Sequence, residues 1–455
     1  MSKKLLLILS VLIIGLLVAA CGGAGSSSAP AAAPTTAPAA AQPAAPTAAP
    51  AAKAAAPTEA PKAAAPTAAA AAKPAATTAP AAGGAAPAVK GVPIKLWSGW
   101  TGTEADTLAA VAKQFEAANP GAQVQILTVP FDQLKNKYTT EASTGGGPDL
   151  LIGPKDWIGE LAQAKLIASL DDSAQAAGLN NVSKEAVTAN SFQGKVYAFP
   201  ESTEAMALFI NTDKVKTLPT NSDDILKIAT DVGLGLNTGF YQAAGFFFGE
   251  GAKLFDAQGK CILDQGTGAA DALKWMQTAS KTPKVIADAD GGKLDAAFKD
   301  GRVGMVFNGP WAVGDYEKAI TQAKLGVNAP IVMMPASGKF APFLGTKNLF
   351  LSTNSKGDAK ATSLAFMNFL SQPAQQETFS KIGHIPSNPN VNISDPILKG
   401  FINQTLSTTY FPNEPEMGAV WTPASDMITK VVEGKASPEE AVKTACAQIN
   451  AANKK

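Results

Sequence analysis

Residues 93–129 read PIKLWSGWTGTEADTLAAVAKQFEAANPGAQVQILTV, and this stretch decides the fold class. Its first five residues alternate in polarity, which is typical of a β-strand. A helix is predicted from Thr103, since apolar residues recur at the three- and four-residue spacing of one helix face. These residues are Leu108, Val111, Ala112 and Phe115. Residues 119–121 (Asn-Pro-Gly) end the helix, and residues 123–129 alternate again as a second strand.

The same pattern continues with a helix predicted over residues 132–142 and a strand over residues 149–152. Strands that alternate with helices of about a dozen residues indicate an α/β fold with a parallel sheet. Such sheets bind ligands at the carboxyl ends of their strands. Two loops lie just past strand ends, at residues 97–100 (WSGW) and 153–157 (GPKDW). We therefore expect a ligand site near these two loops.

The charge balance excludes several classes of function. The chain has 455 residues, with Lys+Arg 38 and Asp+Glu 37, so its net charge of +1 offers no basic field to a nucleic acid. It has a single arginine, Arg302, and a single histidine, His384. A Ser-His-Asp triad would depend on His384 alone, and a metal site with several histidines is excluded. The sequence has no phosphate-binding or nucleophile-elbow motif, and we predict no metal or cofactor.

Residues 1–20 are predicted to be a lipoprotein signal peptide. Lys3 and Lys4 precede an apolar run of about 14 residues at 5–18, which is too short to span a bilayer comfortably. Small residues then precede Cys21, as in a bacterial lipobox, in which cleavage leaves a lipidated cysteine. We expect Cys21 to be acylated, for example with palmitate. The alternative is ordinary signal-peptide cleavage beside an unmodified cysteine.

Residues 21–90 are predicted to form a disordered tether after the lipidated cysteine. They consist almost entirely of Ala, Pro, Thr, Ser and Gly with a few Lys, and they lack aromatic residues, Leu and Ile. Such a segment cannot bury enough apolar surface to offset the entropy lost on ordering. Threonines beside prolines could carry O-glycans. Without residues 1–90, which hold six lysines and one glutamate, the chain has 32 basic and 36 acidic residues, a net charge of about −4.

The remaining cysteines, Cys261 and Cys446, form an even pair. In the oxidising compartment that a signal peptide implies, two such cysteines commonly form a disulfide. The bond would join a C-terminal helix, predicted at about residues 437–452, to a hairpin near Gly259. Two separate buried thiols are the alternative.

A series of short motifs follows the first strand along the chain. They are the strand at Trp97 with its helix, residues 147–151 (GPDLL), 156–162 (DWIGELA), 194–200 (GKVYAFP), 204–211 (EAMALFIN), 296–298 (AAF), Gly301, 307–312 (FNGPWA) and 417–421 (MGAVW). Their kind and order resemble those of family 1 extracellular solute-binding proteins of ABC importers. The resemblance covers nearly all of residues 93–455. The Asn-Gly-Pro-Trp stretch resembles the maltose/maltodextrin-binding branch in particular.

This resemblance implies a two-lobed periplasmic-binding-protein-like fold of type II, with three chain crossings as the hinge and a ligand cleft between the lobes. The crossings would fall near Thr203-Glu204, Phe343-Leu344-Gly345 and Ser394-Asp395-Pro396. One lobe would comprise residues 93–203 and 345–395, and the other residues 204–344 and 396–455. Hinge closure is the usual motion of two-lobed binders.

The resemblance also implies which residues contact the ligand. A sugar ring has an apolar face and a rim of hydroxyls, so its cleft needs flat aromatic side chains together with carboxylates. Trp311, Trp421 and either Phe240 or Tyr241 match positions of stacking aromatics, and Asp156 and Glu204 match positions that accept hydroxyls. Further candidates are Glu104 and Glu201 beside these acids, and Trp100 and Trp157 in the strand-end loops. Asn308 is expected to brace its turn.

The chain departs from the best-known maltose binder at several site positions. Gly153 replaces a tryptophan that directly follows the strand at 149–152, and Trp157 could compensate for it. Ser425 replaces an arginine, and Lys135-Asn136 replace an acidic pair on the cleft rim. The length and linkage of the ligand therefore stay open.

The resulting expectation is a lipid-anchored, monomeric binding protein on the extracellular face of the cell membrane, periplasmic if an outer membrane is present. It would deliver maltodextrin-like oligosaccharides to the permease subunits of an ABC importer. A binder of another solute, such as a different oligosaccharide or a polyamine, is the main alternative. An anchored glycosidase with paired carboxylates is a weaker one, so we predict that the protein is not an enzyme.

Overall fold

The computed structural model describes residues 91–334, 336 and 338–455. The predicted signal peptide, the acylation of Cys21 and the tether at 21–90 therefore lie outside the described residues. None of the helices in the described part of the chain combines the length and apolar character needed to cross a lipid bilayer.

Strands and helices alternate along most of the chain. The strands are β1 Pro93–Ser98, β2 Gln123–Thr128, β3 Leu150–Pro154, β4 Ser191–Phe192, β5 Lys195–Val196, β6 Phe199–Glu204, β7 Ala207–Asn211, β8 Leu234–Asn237, β9 Val285–Asp288, β10 Met305–Asn308, β11 Leu325–Asn328, β12 Phe343–Leu351, β13 Ile385–Pro386 and β14 Thr409–Tyr410. The helices are α1 Gly102–Ala118, α2 Phe131–Ser143, α3 Ile158–Gln163, α4 Lys184–Ala189, α5 Ser222–Val232, α6 Phe240–Gly249, α7 Gly268–Lys281, α8 Gly291–Lys299, α9 Val313–Ile320, α10 Gly357–Leu370, α11 Pro373–Ser380, α12 Pro396–Thr405, α13 Trp421–Val432 and α14 Pro438–Ala452.

The larger sheet has the strand order β13-β6-β12-β3-β1-β2, and β14 pairs with β12. The pairs β1/β2 and β1/β3 are parallel, as predicted from residues 93–152. The sheet as a whole is mixed, since β12 lies antiparallel to both β3 and β6. The prediction of a parallel sheet is therefore correct for its first three strands only, because a long connection returns β12 in the opposite direction.

The smaller sheet has the order β11-β7-β10-β8-β9. Its β8 pairs in parallel with β9 and β10, while β7 runs antiparallel to its neighbours. Only two residues, Ala205 and Met206, connect β6 of the larger sheet to β7 of the smaller one. The chain returns to the larger sheet between β11 and β12, and leaves it again after β13 for α12, which packs on β11. The exact lobe boundaries stay a prediction.

Helix α1 illustrates why these elements form. Its buried residues are the four that the apolar spacing predicts, Leu108, Val111, Ala112 and Phe115. They join the core of the larger sheet together with Ile94 and Leu96 of β1. A separate apolar cluster forms around the smaller sheet, where Phe209 of β7 packs on Phe298, Tyr316 and Phe401.

Cys261 and Cys446 are joined by a disulfide, with 5.3 Å between their Cα atoms. Cys261 pairs with Phe255 across a short hairpin that contains Gly259, and Cys446 lies in α14. The side chain of Asn450 accepts a hydrogen bond of 2.7 Å from the Cys261 N–H, which adds a second connection between hairpin and helix. The bond therefore links two segments 185 residues apart.

Candidate functional site

Side chains from both sheets meet at the ends of their strands. Trp100 follows β1, and Asp156 follows β3. Glu204 ends β6, Tyr241 lies in the first turn of α6 after β8, and Trp311 follows β10. Strand ends are where open α/β sheets bind ligands, so the topology alone brings these chemically different groups together.

The turn after β10 holds the Trp311 indole in place. Gly309 is required there, because a Cβ at this position would overlap the Trp311 ring. Asn308 braces the turn as expected: its amide donates to Asp295 at 2.8 Å and to the Tyr316 hydroxyl at 2.9 Å, and its carbonyl oxygen accepts from the Gly309 N–H at 2.8 Å. Trp311 stays partly exposed beside these buried supports.

Tyr241 connects the aromatic side chains of the site. Its ring centroid lies 6.3 Å from that of Trp311 and 6.3 Å from that of Trp421. Phe411, a residue that the sequence analysis did not single out, lies 5.7 Å from the same ring. Tyr241, Trp311 and Trp421 are all partly exposed, in contrast to the fully buried Phe411.

The burial of Phe240 contradicts its predicted contact with ligand, whereas its neighbour Tyr241 is partly exposed. Phe240 is 1% exposed and packs edge-to-face on Phe247 at 5.6 Å and on Phe343 at 6.2 Å. Successive residues of a helix point in different directions, and here the first of the pair faces the core. The Ser425 hydroxyl accepts a hydrogen bond from the Phe240 N–H. Ser425, which stands where the best-known maltose binder has an arginine, therefore anchors α6.

Trp157 also belongs to a core rather than to exposed cleft surface. It is 5% exposed, and its ring lies so close to Gly153 that a Cβ there would overlap it. The indole therefore occupies the space beside Gly153, but its predicted direct contact with ligand is not supported. Its outer face stacks on Phe131, at 5.6 Å and 28° between ring planes.

The acids of the site differ in their surroundings. Burial raises the pKa of Asp156 to about 7, against the opposing effects of the Lys135 charge and a hydrogen bond with the Trp421 side chain. Burial likewise raises the pKa of Glu204, which accepts a hydrogen bond of 2.9 Å from the Tyr241 hydroxyl. Both are less than a tenth exposed. When ionised, each carboxylate can therefore accept a hydrogen bond from a hydroxyl group. Its buried surroundings strengthen that hydrogen bond.

Glu104 belongs to a charged network that the sequence analysis did not foresee. It forms an ion pair with Lys347 of β12 and accepts from His384 Nε2 at 2.9 Å. The other ring nitrogen of His384 lies 2.7 Å from Glu201, which is 1% exposed. Burial opposes the charge on His384, but the charge of Glu201 and the hydrogen bonds to both glutamates outweigh it and raise the pKa of the imidazole.

Lys347 carries the ammonium closest to the aromatic rings of the site. Its Nζ lies 5.2 Å from the ring centroid of Trp100 and 5.6 Å from that of Trp311. Burial opposes the charge on Glu104, yet Lys347 and His384 together lower the pKa of that carboxyl. One signal could have revealed Lys347: it is the single charged residue in the apolar strand that runs from Phe343 to Leu351.

The structure thus brings together Glu104, Asp156, Glu204, Tyr241, Trp311 and Trp421 through the contacts described above. Trp100 borders the same network but is buried, and it packs edge-to-face on Phe379 and His384. Aromatic faces beside buried hydrogen-bond acceptors can hold a ligand that has an apolar face and a polar rim. Within the described residues, no group of three or more His, Cys, Asp or Glu side chains is arranged to hold a metal ion.

Comparison with known proteins agrees with this geometry. Residues 110–400 match the model of a family described as bacterial extracellular solute-binding protein. The chain is 27% identical over 367 residues to a maltooligosaccharide ABC transporter solute-binding lipoprotein of Streptococcus pneumoniae, covering 74% of this chain and 84% of that protein. It is 25% identical over 381 residues to a galactooligosaccharide-binding protein of Bacillus subtilis, covering 76% and 86%.

The fold is similar to that of the Thermus thermophilus maltotriose-binding protein bound with maltotriose. The TM-score is 0.73 at 30% sequence identity, covering 79% of this chain and 100% of that structure. The two-lobed α/β architecture expected from the sequence is thereby confirmed. The family and the pneumococcal relative are both named for solute binding, and the relative is named as part of an ABC transporter, so the role they describe is binding rather than catalysis. The chain belongs to the family of bacterial extracellular solute-binding proteins.

Proposed function

We propose that this protein binds maltodextrin-type oligosaccharides in a cleft between its two lobes. The observation that carries the proposal is the group of partly exposed aromatic rings, Tyr241, Trp311 and Trp421, beside the buried acceptors Asp156 and Glu204. The rings stack on the apolar faces of successive glucose units. The carboxylates accept hydrogen bonds from the hydroxyl groups at the rim of the same units.

The names of related proteins support a sugar of this class. Both the pneumococcal lipoprotein and the Thermus protein are named for maltooligosaccharides, whereas the Bacillus relative is named for galactooligosaccharides. A galactooligosaccharide is therefore the second candidate ligand. Aromatic faces and carboxylates suit both sugars, so a direct comparison is required.

Differential scanning fluorimetry with a panel of sugars tests the proposal. Maltose, maltotriose and maltotetraose are compared with a galactooligosaccharide of three units and with spermidine. A ligand at 100 times its dissociation constant adds about 2.7 kcal/mol to the free energy of unfolding, which gives a clear shift in Tm. Tryptophan fluorescence should also change, since the ligand covers indole rings. Stabilisation by spermidine but by no sugar would contradict the proposal, and so would hydrolysis of maltotriose during incubation.

The proposal includes the role of the protein at the membrane. The family is extracellular, and the pneumococcal relative is a lipoprotein. The lipobox-like ending before Cys21 supports a lipid anchor on the outer face of the cell membrane. From there the protein, as a monomer, delivers ligand to the permease subunits of an ABC importer. The lobes comprise residues 93–203 with 345–395, and 204–344 with 396–455.

Replacing the cysteine tests the anchor. Cys21→Ser removes the acceptor of the lipid, so the variant should leave the membrane fraction and appear in the soluble fraction or the medium. Cell fractionation followed by immunoblotting measures this, and Ser26→Ala, a change in the same segment, is the control. A Cys21→Ser protein that stays with the membranes would refute the lipid anchor while leaving the sugar site unaffected.

A further inference from the structure

Lys347 lies in surroundings that resemble a binding site for an ammonium ion. Its ammonium is flanked by the indole rings of Trp100 and Trp311, with centroids 5.2 Å and 5.6 Å from Nζ, and it is paired with Glu104. We call Trp100, Trp311 and Glu104 the ammonium cage. Aromatic faces attract cations through their quadrupoles, and such cages recognise ammonium ligands. The lysine side chain is only 9% exposed, so this ammonium is part of the site rather than of the open surface.

Carboxyl groups outnumber basic groups around the cage even with Lys347 present. Glu104, Glu201 and Glu204 lie in the same network, facing the two basic groups Lys347 and His384. His384 Nε2 lies 3.4 Å from Lys347 Nζ and is shared with Glu104. Without Lys347, three carboxyl groups would face one imidazole beside the ring faces of Trp100 and Trp311 that the ammonium now covers. That arrangement would attract an ammonium group from solution.

The backbone around Lys347 limits the directions in which its side chain can point. Lys347 lies in β12, between β3 and β6, opposite Pro154 and Ser202. A lysine on a central, buried strand has little freedom to point elsewhere, and its ammonium loses most of its hydration. The pairing with Glu104 and the two indoles compensates for that loss. The side chain is therefore fixed at the place where a cationic ligand would otherwise bind.

We propose that Lys347 is a specificity-determining residue that fills the ammonium cage with the chain's own cation and thereby excludes polyamines and amino sugars from the cleft. The inference deepens the proposed function and rests on it, since it explains how an acidic, aromatic site selects neutral sugars. Discrimination between ligands often depends on such a repulsive element as well as on favourable contacts.

Chemical rescue tests the cage directly. Lys347→Ala removes three carbons and one nitrogen, which n-propylammonium supplies. We expect n-propylammonium to raise the Tm of Lys347→Ala by about 2 °C or more at saturation, whereas 1-propanol, the neutral alcohol of equal chain length, gives no rise. Lys137→Ala is the matched control: Lys137 also contacts an indole and a carboxylate, Trp97 and Glu141, but is 39% exposed. Its variant should not respond.

A second variant keeps the test decisive if Lys347→Ala does not fold. Lys347→Met ends one atom short of the ammonium position, so ammonium chloride should stabilise it more than sodium chloride at equal ionic strength. Ammonium and n-propylammonium should leave the wild-type Tm unchanged relative to their controls. The proposal is overturned if neither variant responds more to its cation than to its control.

The wild-type protein provides a test that needs no substitution. 1,4-Diaminobutane should neither stabilise it nor compete with maltotriose, whereas it should stabilise Lys347→Ala. Binding of 1,4-diaminobutane by the wild type would overturn the role of Lys347. Failure of maltotriose to bind the wild type would instead refute the sugar ligand, and the rescue experiment would still decide the cage.

Discussion

At the scale of single residues, two tryptophans in the second half of the chain differ in their surroundings. Trp311 is partly exposed at the site, while Trp275 is 6% exposed and stacks on Phe246 at 4.7 Å. Trp311→Ala should cost roughly 1–3 kcal/mol of sugar affinity, as expected for uncovering a large apolar side chain, with little change in Tm. Trp275→Ala should cost about 3–5 kcal/mol of stability and leave affinity nearly intact. Calorimetric titration and thermal unfolding measure both quantities; a destabilised Trp311→Ala that binds normally would contradict the stacking role.

His384 should make the stability of the protein depend on pH. Its pKa is raised in the folded state above the usual 6.5, through Glu201 and Glu104 acting against burial. A raised pKa in a base means that the folded state holds the proton more tightly. The contribution is therefore fully present below pH 6.5 and is lost as the pH rises through the raised pKa.

Urea unfolding of the wild type and of His384→Asn, at steps between pH 6 and pH 9, measures this contribution. The wild type should lose more stability over the interval than the variant, whose asparagine cannot titrate. Glu377→Gln, a change at an exposed acid of α11, is the control. Equal pH profiles for wild type and His384→Asn would show that the imidazole does not carry the proton in the folded protein.

At the scale of secondary-structure elements, α9 touches the N-terminus of α1. The Asp315 carboxylate of α9 accepts hydrogen bonds from the N–H of Thr103, at 3.2 Å, and from its hydroxyl. A carboxylate is favourable at a helix N-terminus, where free N–H groups and the helix dipole meet. Since α1 packs on the larger sheet and α9 on the smaller, this contact links helices that belong to different sheets.

Asp315→Ala should therefore weaken sugar binding through the lost contact between α1 and α9, not through a lost contact with the sugar. The loss of a capping carboxylate costs about 1 kcal/mol, so affinity should fall roughly fivefold if only the closed arrangement contains the contact. Isothermal titration with maltotriose measures it, and Lys318→Ala, an exposed position on the same helix, is the control. Unchanged affinity would mean that the contact persists in the open protein.

The sequence predicted an element correctly wherever its apolar residues lie on one face of a helix or strand, because that face is the one that becomes buried. The apolar spacing from Leu108 to Phe115 gave α1 its correct buried face, and the Asn-Gly-Pro-Trp stretch gave the turn at Trp311. The register at Phe240 and Tyr241 was not predictable, because two adjacent aromatics give no sign of which faces the core. Neither was the network at Lys347, since its partner Glu104 is 243 residues away in the chain.

At the scale of the whole molecule, the disulfide should contribute to stability rather than to binding. Cys261→Ala with Cys446→Ala removes a crosslink across 185 residues, which should cost about 2–5 kcal/mol of unfolding free energy. Both cysteines are at most 2% exposed, in the core around α7 and α14, so maltotriose affinity should be nearly unchanged. Urea unfolding measures the loss, and alkylation followed by mass spectrometry counts the thiols. Two alkylatable thiols in the native wild type would refute the bond in solution.

The same disulfide has a practical consequence. Cys261 and Cys446 are the only cysteines among residues 91–455, and their pairing leaves that part of the chain without a reactive thiol. A single cysteine introduced there would be the one site for maleimide chemistry among residues 91–455. Phe131, 59% exposed and stacked on Trp157, is a suitable position. An environment-sensitive dye attached to Phe131→Cys would be the single label in that part of the chain, which is the labelling that a reagentless optical sensor requires.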